Sequence, residues 1–354
     1  MDAGRSQRPE PTEHWFSSLV EHSGDLIIVV DKVGTVVYAN PIAFRTFGIS
    51  SEEAIGTSGL RFIDPDDVER VASNLLALTQ TPGSTIVDAV RFISVTGEVR
   101  DLEVTATNQL DDTEVAGIII NGKDVTDRND QVRQLEASFD GSIHALAEIV
   151  ELRDPYTAGH QREVATFACW IAEELDLPSD TIRGIEVAAT LHDIGKVSIP
   201  SEILTRPGQL NPPEFELIKM HSQAGSDIVA RIPFPWPVAD MILQHHERLD
   251  GSGYPLGLKG DAILLESRII AVADAISAMS GHRPYRPALG ISAALEQLES
   301  GRGALYEPAV VDAALAIFRK ASTPARISST HDHEPAPLQD TFRQGRSSAR
   351  QVGR

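Results

Sequence analysis

Residues 187–196 read VAATLHDIGK, an apolar run that ends in a charged pair and a glycine. Ile182, Ile185, Ala188, Ala189 and Leu191 fall on one helical face, which predicts a helix buried along that side. The helix runs into His192-Asp193. Such a pair on a buried face costs free energy unless it is paired or metal-bound. Lys196 lies one helical turn past His192 and, on a continued helix, shares its face and can meet a phosphate. Upstream, Val164, Phe167, Ala168, Ile171 and Leu175 share a face as well. Downstream, 213–230, 237–248, 263–280, 290–299 and 307–320 read as helical, with no long alternating strand between them. The stretch therefore sits in an all-α body.

That body also carries His160, His221, Asp274 and the run HHERLDGSGYP at 245–255. Adjacent histidines on a helix lie about 100° apart, so His245 and His246 can border one cavity. Asp250-Gly251 and Gly253 then form a glycine turn that Tyr254-Pro255 fix. Imidazole and carboxylate suit zinc, iron, manganese or nickel without choosing among them. Five histidines and two aspartates exceed the needs of one ion, and a bridging carboxylate lets two ions sit about 3.5–4 Å apart, as in phosphodiester hydrolysis. A His-Asp pair alone carries little meaning: it recurs at His331-Asp332, in a tail that reads as disordered. His144 and His282 read as ordinary structural histidines.

The chain has 354 residues, 31 Lys+Arg against 51 Asp+Glu, and a net charge of −20. Residues 1–128 and 129–321 each carry −11 and residues 322–354 carry +2, so two bodies share the acidity. Such a surface excludes non-specific binding to a nucleic-acid polymer or to anionic lipid. One cysteine against 11 histidines excludes disulfides and thiolate clusters and points to nitrogen and oxygen ligands in a reducing compartment. The polar residues 1–13 form a flexible start without a leader, and no apolar run approaches a membrane span, so the expected location is the cytoplasm.

Residues 14–128 form the first body. Leu26–Val30 and Thr35–Tyr38 read as a hairpin, Asn40–Phe47 and Pro65–Thr79 as helices, and Thr85–Ile93, Glu98–Asn108 and Glu114–Asp124 as strands. Asp64 suits the N-cap of the longer helix, with Pro65 at its first position. This is an α+β module with an antiparallel sheet. GDLIIVVDKVGTVVYANPIAFRTFG at 24–48, TGEVR at 96–100 and DVTDR at 124–128 resemble the PAS sensor domain. Residues 23–128 contain neither His nor Cys, which argues against a histidine-held heme and a flavin–cysteine adduct. A small apolar ligand, a dicarboxylate, dimerisation alone or no ligand all stay open.

Residues 129–152 read as a connecting helix. Val132, Leu135, Phe139, Ser142, Leu146 and Ile149 keep a coiled-coil rhythm that fits a homodimer through this helix and the PAS module. Residues 323–354 read as a disordered tail.

HDIGK (192–196), HHERLDGSGYP (245–255) and RIIAVADAISAMSGHRPYR (268–286) resemble the HD-GYP domain, as do RDPYTAGH (153–160), ILTRPGQL (203–210) and MHSQAG (220–225). The resemblance spans about 138–322. It implies a bacterial phosphodiesterase that hydrolyses cyclic di-GMP to pGpG and often GMP, with GGDEF-type signalling proteins as partners. His160, His192, Asp193 and Asp274 would hold one divalent metal, iron or manganese. Asp193, His221, His245 and His246 would hold the second, with Asp193 bridging and catalytic. Lys196 would contact the scissile phosphate, and Arg283, Tyr285 and Arg286 would bind the rest of the substrate. Asp250, Gly251, Gly253, Tyr254 and Pro255 form the GYP motif. The chain departs from the pattern at Tyr156, where some relatives carry a glutamate for a third metal, and at Ser277, where many carry an aspartate. Alternative readings are a binding module without turnover and a phosphohydrolase of another nucleotide.

Overall fold

The computed structural model describes residues 12–154, 159–206, 208–280 and 290–321. They form two compact units, dividing between Asp140 and Gly141.

The first unit opens with helix α1 (Glu13–Glu21), which the sequence reading did not mark. Strands β1 (Leu26–Val30), β2 (Val36–Ala39), β3 (Thr85–Ile93), β4 (Val99–Gln109) and β5 (Gly117–Asp124) build one antiparallel sheet in the order β2-β1-β5-β4-β3. Helices α2 (Pro41–Phe47), α3 (Ser51–Ala54) and α4 (Pro65–Thr79) fill the crossover between β2 and β3. The Asp64 side chain caps α4 by accepting from Asp66 N at 3.0 Å, and Pro65 takes the first turn as its fixed φ allows. The last strand begins three residues later than its periodicity suggests. Asp112 Oδ1 accepts from Glu114 N (2.8 Å) and Val115 N (3.0 Å), which bends 114–116 into a turn before pairing can start.

Leu26, Phe47, Phe62, Val90, Phe92 and Leu102 form the core, with Phe47 packed on Phe62 and Phe92 at ring distances of 5.6 and 5.2 Å. Beside it lies a cavity of about 110 Å³ between the sheet and α2–α4. Its wall is apolar apart from Asn74 and Asp88. Both are spoken for: Asn74 Nδ2 donates to Asp88 Oδ2 at 2.9 Å, and Arg70 pairs with the same carboxylate.

Helix α5 (Thr126–Arg153) runs from the first unit into the second. The DVTDR turn fastens its start to the sheet: Thr126 N and Oγ1 donate to Asp124 Oδ1, Asp101 N donates to Thr126 Oγ1, and Arg133 and Asn129 bind the Asp101 carboxylate. In the second unit α5 buries Ile143, Ala147 and Val150. The expected seam is a different face. Its members Val132, Leu135 and Ile149 are 49, 72 and 49% exposed; around Ile149, packing within the second unit claims the neighbouring stripe.

The second unit is helical, as predicted. It comprises α6 (His160–Glu174), α7 (Ser179–Leu191), α8 (Ser201–Leu204), α9 (Pro212–Val229), α10 (Val238–Gln244), α11 (Leu265–Ser280), α12 (Ile291–Ser300) and α13 (Pro308–Ala321). Helix α11 lies at its centre, packed on α6, α7, α10, α12 and α13, with Ile269, Ile270, Val272 and Ile276 fully buried.

One helix ends where its apolar run does, and one ends earlier than the sequence indicates. Helix α7 stops at Leu191 and the chain continues as a 3-10 turn over Ile194–Ser198. Helix α10 stops at Gln244. Both ends fall on the proposed ligands.

Candidate metal centre

Five helices converge here, two of them through their C-terminal ends. His160 opens α6, His192 caps α7 with Asp193 next, His221 lies inside α9, His245 caps α10 with His246 next, and Asp274 lies inside α11. The pair His245-His246 therefore stands in a turn just past a helix, not within one. Likewise Lys196 meets the centre by 3-10 rather than α spacing. Its Nζ lies 2.7 Å from Asp193 Oδ2, three residues back, and 3.5 Å from Asp154 Oδ2.

Three ligand sets form, each with atoms within 4.8 Å of one another: His160, His192 and Asp274; His192, Asp193 and His245; His221, His245 and His246. His160 Nε2 is 3.1 Å from Asp274 Oδ1. Asp193 turns Oδ2 toward His192 Nε2 (3.4 Å) and Oδ1 toward His221 Nε2 (3.5 Å), so its two oxygens face different sets. His192, Asp193, His221 and His245 are all at most 3% exposed.

The ring tautomers follow from the backbone. Nδ1 of His192, His221 and His245 lies 2.7, 2.7 and 2.6 Å from the carbonyls of Ala189, Ile218 and Ile242. A carbonyl only accepts, so each Nδ1 carries the proton and a neutral ring keeps its lone pair on Nε2. His221 Nε2 and His245 Nε2 then face one another at 3.4 Å. Two lone pairs in a buried site repel unless a proton or cation lies between them. A divalent ion fits this donor set.

Electrostatics point the same way. Burial, then the neighbouring imidazoles, drives His245 down to about 3 and His246 well below the usual range. Burial likewise lowers His221, against the pull of Asp193. Burial opposes ionisation of Asp193, but Lys196, His192 and His221 outweigh it and hold that carboxyl well below its ordinary value. Asp274 is held down against burial by its hydrogen bond to His160 and by His192. Neutral imidazole and ionised carboxylate are the forms that ligate. His192 is the exception: burial lowers it, but Asp193 and Asp274 raise it more, so it is held above the ordinary imidazole value.

The glycines have defined work. A Cβ on Gly195 would collide with the His221 carbonyl oxygen and the Gly225 amide, so HDIGK needs glycine to let α9 bring His221 in. A Cβ on Gly253 would strike the backbone at His246–Arg248, over which the GYP turn folds back. Tyr254 stacks on His246 at 4.7 Å and 34°. Asp250 Oδ1 accepts from Ser252 N at 2.8 Å, and Gly251 has a left-handed φ of 82°, with Lys259 packed against it. Pro255 is exposed.

Sequence reading missed Glu247. It is 3% exposed, and its carboxylate accepts from Leu256 N (2.7 Å), Gly257 N (3.1 Å) and Leu258 N (3.0 Å), which closes the GYP turn. Its signal was an acidic residue between the paired histidines and a glycine turn full of unpaired amides. Also missed was Glu163, which accepts from Ser277 Oγ at 2.6 Å; Ser277 Oγ in turn lies 2.9 Å from His160 Nδ1. Arg283, Tyr285, Arg286, His282, Tyr156 and His331-Asp332 lie outside the described residues.

Residues 144–310 match the HD domain and residues 16–125 match the PAS fold. The chain joins a PAS domain to an HD domain. The cyclic di-GMP phosphodiesterase response regulator RpfG of Xanthomonas campestris pv. campestris is 42% identical over 176 residues, 49% of this chain and 47% of that protein. A cyclic di-GMP phosphodiesterase of Thermotoga maritima is 40% identical over 192 residues, 54% of this chain and 52% of that protein. The 3'3'-cGAMP-specific phosphodiesterase 3 of Vibrio cholerae is 38% identical over 174 residues, 49% of this chain and 38% of that protein. The chain thus spans about half the length, or less, of these relatives. The HD domain holds every described ligand candidate, and no described helix is long and apolar enough to cross a membrane.

Proposed function

We propose that the HD domain is a metal-dependent phosphodiesterase that hydrolyses cyclic di-GMP to pGpG, GMP or both. The observation that carries this is the pair of imidazole lone pairs facing each other beside a carboxylate whose two oxygens address two ligand sets. His160, His192, Asp193 and Asp274 would hold one divalent ion. Asp193, His221, His245 and His246 would hold the other, iron or manganese in each case. When bound, the ions supply Lewis-acid activation of water and of the phosphoryl oxygens. The chain's own residues bind and orient. Lys196, now paired with Asp193 and Asp154, stands at the edge of the centre, where a substrate phosphate would draw its ammonium across. Arg283, Tyr285 and Arg286 complete the substrate site, and the GYP turn, locked by Glu247, keeps Tyr254 against His246.

The PAS domain is the regulatory input. Its apolar cavity favours a small apolar ligand over a dicarboxylate, since Arg70 is engaged by Asp88. Helix α5 carries the signal in a homodimer formed through its exposed seam and the PAS domain, in the cytoplasm, with GGDEF-type proteins as partners. A second reading, 3'3'-cGAMP as substrate, is favoured by the Vibrio cholerae relative's name.

The test is an anaerobic incubation of iron- or manganese-loaded protein with each cyclic dinucleotide, beside His192→Ala and Asp193→Ala. Appearance of pGpG or GMP with wild type alone supports the reading. Equal behaviour of wild type and variants removes it. Unchanged turnover and oligomeric state on deleting residues 1–127 would remove the regulatory part.

A further inference from the structure

His160 solves the orientation of its ring differently from the others. His192, His221 and His245 each donate Nδ1–H to a carbonyl three residues back on their own helix. His160 is the first residue of α6 and follows Gly159 with φ 78°, so no turn of its own helix precedes it to offer that carbonyl. Its Nδ1 instead meets Ser277 Oγ, on α11, at 2.9 Å. Ser277 is 3% exposed and lies three residues beyond Asp274, on the same face of α11.

The direction of each bond is fixed by proton counting. The Ser277 hydroxyl has one proton, and the Glu163 carboxylate, 2.6 Å away, can only accept it. Ser277 Oγ therefore accepts from His160 Nδ1–H. With Nδ1–H directed at Ser277, Nε2 is the ring atom left for Asp274 Oδ1, 3.1 Å away: a proton there makes their hydrogen bond, and a bound ion would take that proton's place.

We propose that Ser277 and Glu163 act as one relay that positions His160 and sets how tightly the centre holds the ion shared by His160 and Asp274. A hydrogen-bonded carboxylate behind a ligating imidazole fixes its tautomer and raises its donor strength. Here the carboxylate acts through a hydroxyl. Glu163 is exposed while Ser277 and His160 are buried, so the relay links the metal centre to the surface of α6. Both are positioning residues: neither touches the ion. The relay rests on the two-metal reading of the centre but not on the identity of the substrate.

Calorimetric titration of the metal-free protein with Mn²⁺ tests it. Glu163→Gln, an exposed and nearly isosteric change, and Ser277→Ala should each weaken one of the two binding events by about 10- to 100-fold and leave the other unchanged. The double variant should be no worse than Ser277→Ala alone, because Glu163 works only through the hydroxyl. The visible absorption bands of the Co²⁺-loaded protein should shift in both single variants, while the melting temperature of the metal-free protein stays within a few degrees of wild type. Wild-type Mn²⁺ affinity in Glu163→Gln would overturn the proposal. So would equal weakening of both events together with a lowered melting temperature, the mark of a merely structural role. A protein that binds two Mn²⁺ normally but leaves every cyclic dinucleotide intact would sink the phosphodiesterase reading and not this one.

Discussion

The PAS cavity and the HD metal centre are both interior spaces, built on opposite principles. The cavity wall is mostly Val, Leu, Ile, Phe and Ala, and its two polar side chains are paired with each other and with Arg70. It is stable as it stands, because apolar atoms ask nothing of an empty space except lost dispersion contacts. The centre gathers imidazoles and carboxylates at 3.1–3.5 Å, deep in a helical unit. Such a site is stable only when protons or cations fill it. The first space can wait for a ligand; the second is incomplete without one.

Asp193 is where breaking this comparison should cost most. Asp193→Ala removes the one carboxylate among the described residues whose two oxygens face two ligand sets, and turnover of the cyclic dinucleotide should fall by at least about 1,000-fold. Turnover within threefold of wild type would show that the centre does not work through this carboxylate. Glu247→Gln should come next. It replaces a buried carboxylate that accepts from three amides, at a cost of about 1–3 kcal/mol, with most of the loss in the GYP turn. Hydrogen exchange of Leu256–Leu258 amides reads it, and unchanged protection would refute the role.

The PAS domain has its own polar anchor at the sheet edge. Hydrogen bonding to Arg91, ahead of the opposing effect of burial, holds Asp67 down to about 2. A depressed carboxyl contributes stability that is present above its unfolded value of 3.8 and lost as pH falls through about 2. Chemical denaturation should show the PAS domain losing about 1–2 kcal/mol across that window, and Asp67→Asn should flatten the loss. The smallest effect belongs to the cavity. Ala106→Val fills part of it and should stabilise the PAS domain by up to about 1 kcal/mol while reducing uptake of an apolar fluorescent probe. Unchanged probe binding would place that probe elsewhere.

Much of this was legible in the chain. Periodicity alone indicates the antiparallel sheet and most helices, and Asp64-Pro65 announces the start of α4. The ligand types and their order stand in HDIGK and HHERLDGSGYP. Helix ends were less legible. The helical reading of 237–248 overruns Gln244, and after Leu191, where the apolar run ends, the chain takes a 3-10 turn instead of continuing as α-helix; His192-Asp193 and His245-His246 thus stand just past helix ends. The coiled-coil rhythm of α5 did not indicate which face the second unit buries: that is the neighbouring stripe of Ile143, Ala147 and Val150.

What the sequence by itself determined is chemistry: which side chains exist, and the local rules of propensity and capping that say which segments coil or extend. What only the tertiary structure decided is which of those side chains face each other. The two oxygens of Asp193 face different imidazoles because α7 ends where α9 crosses, and Gly195 permits that crossing. Ser277 and Glu163 become a relay only because α6 and α11 pack side by side. Residues more than a hundred positions apart meet through packing of whole helices, and no local rule of the chain contains that information.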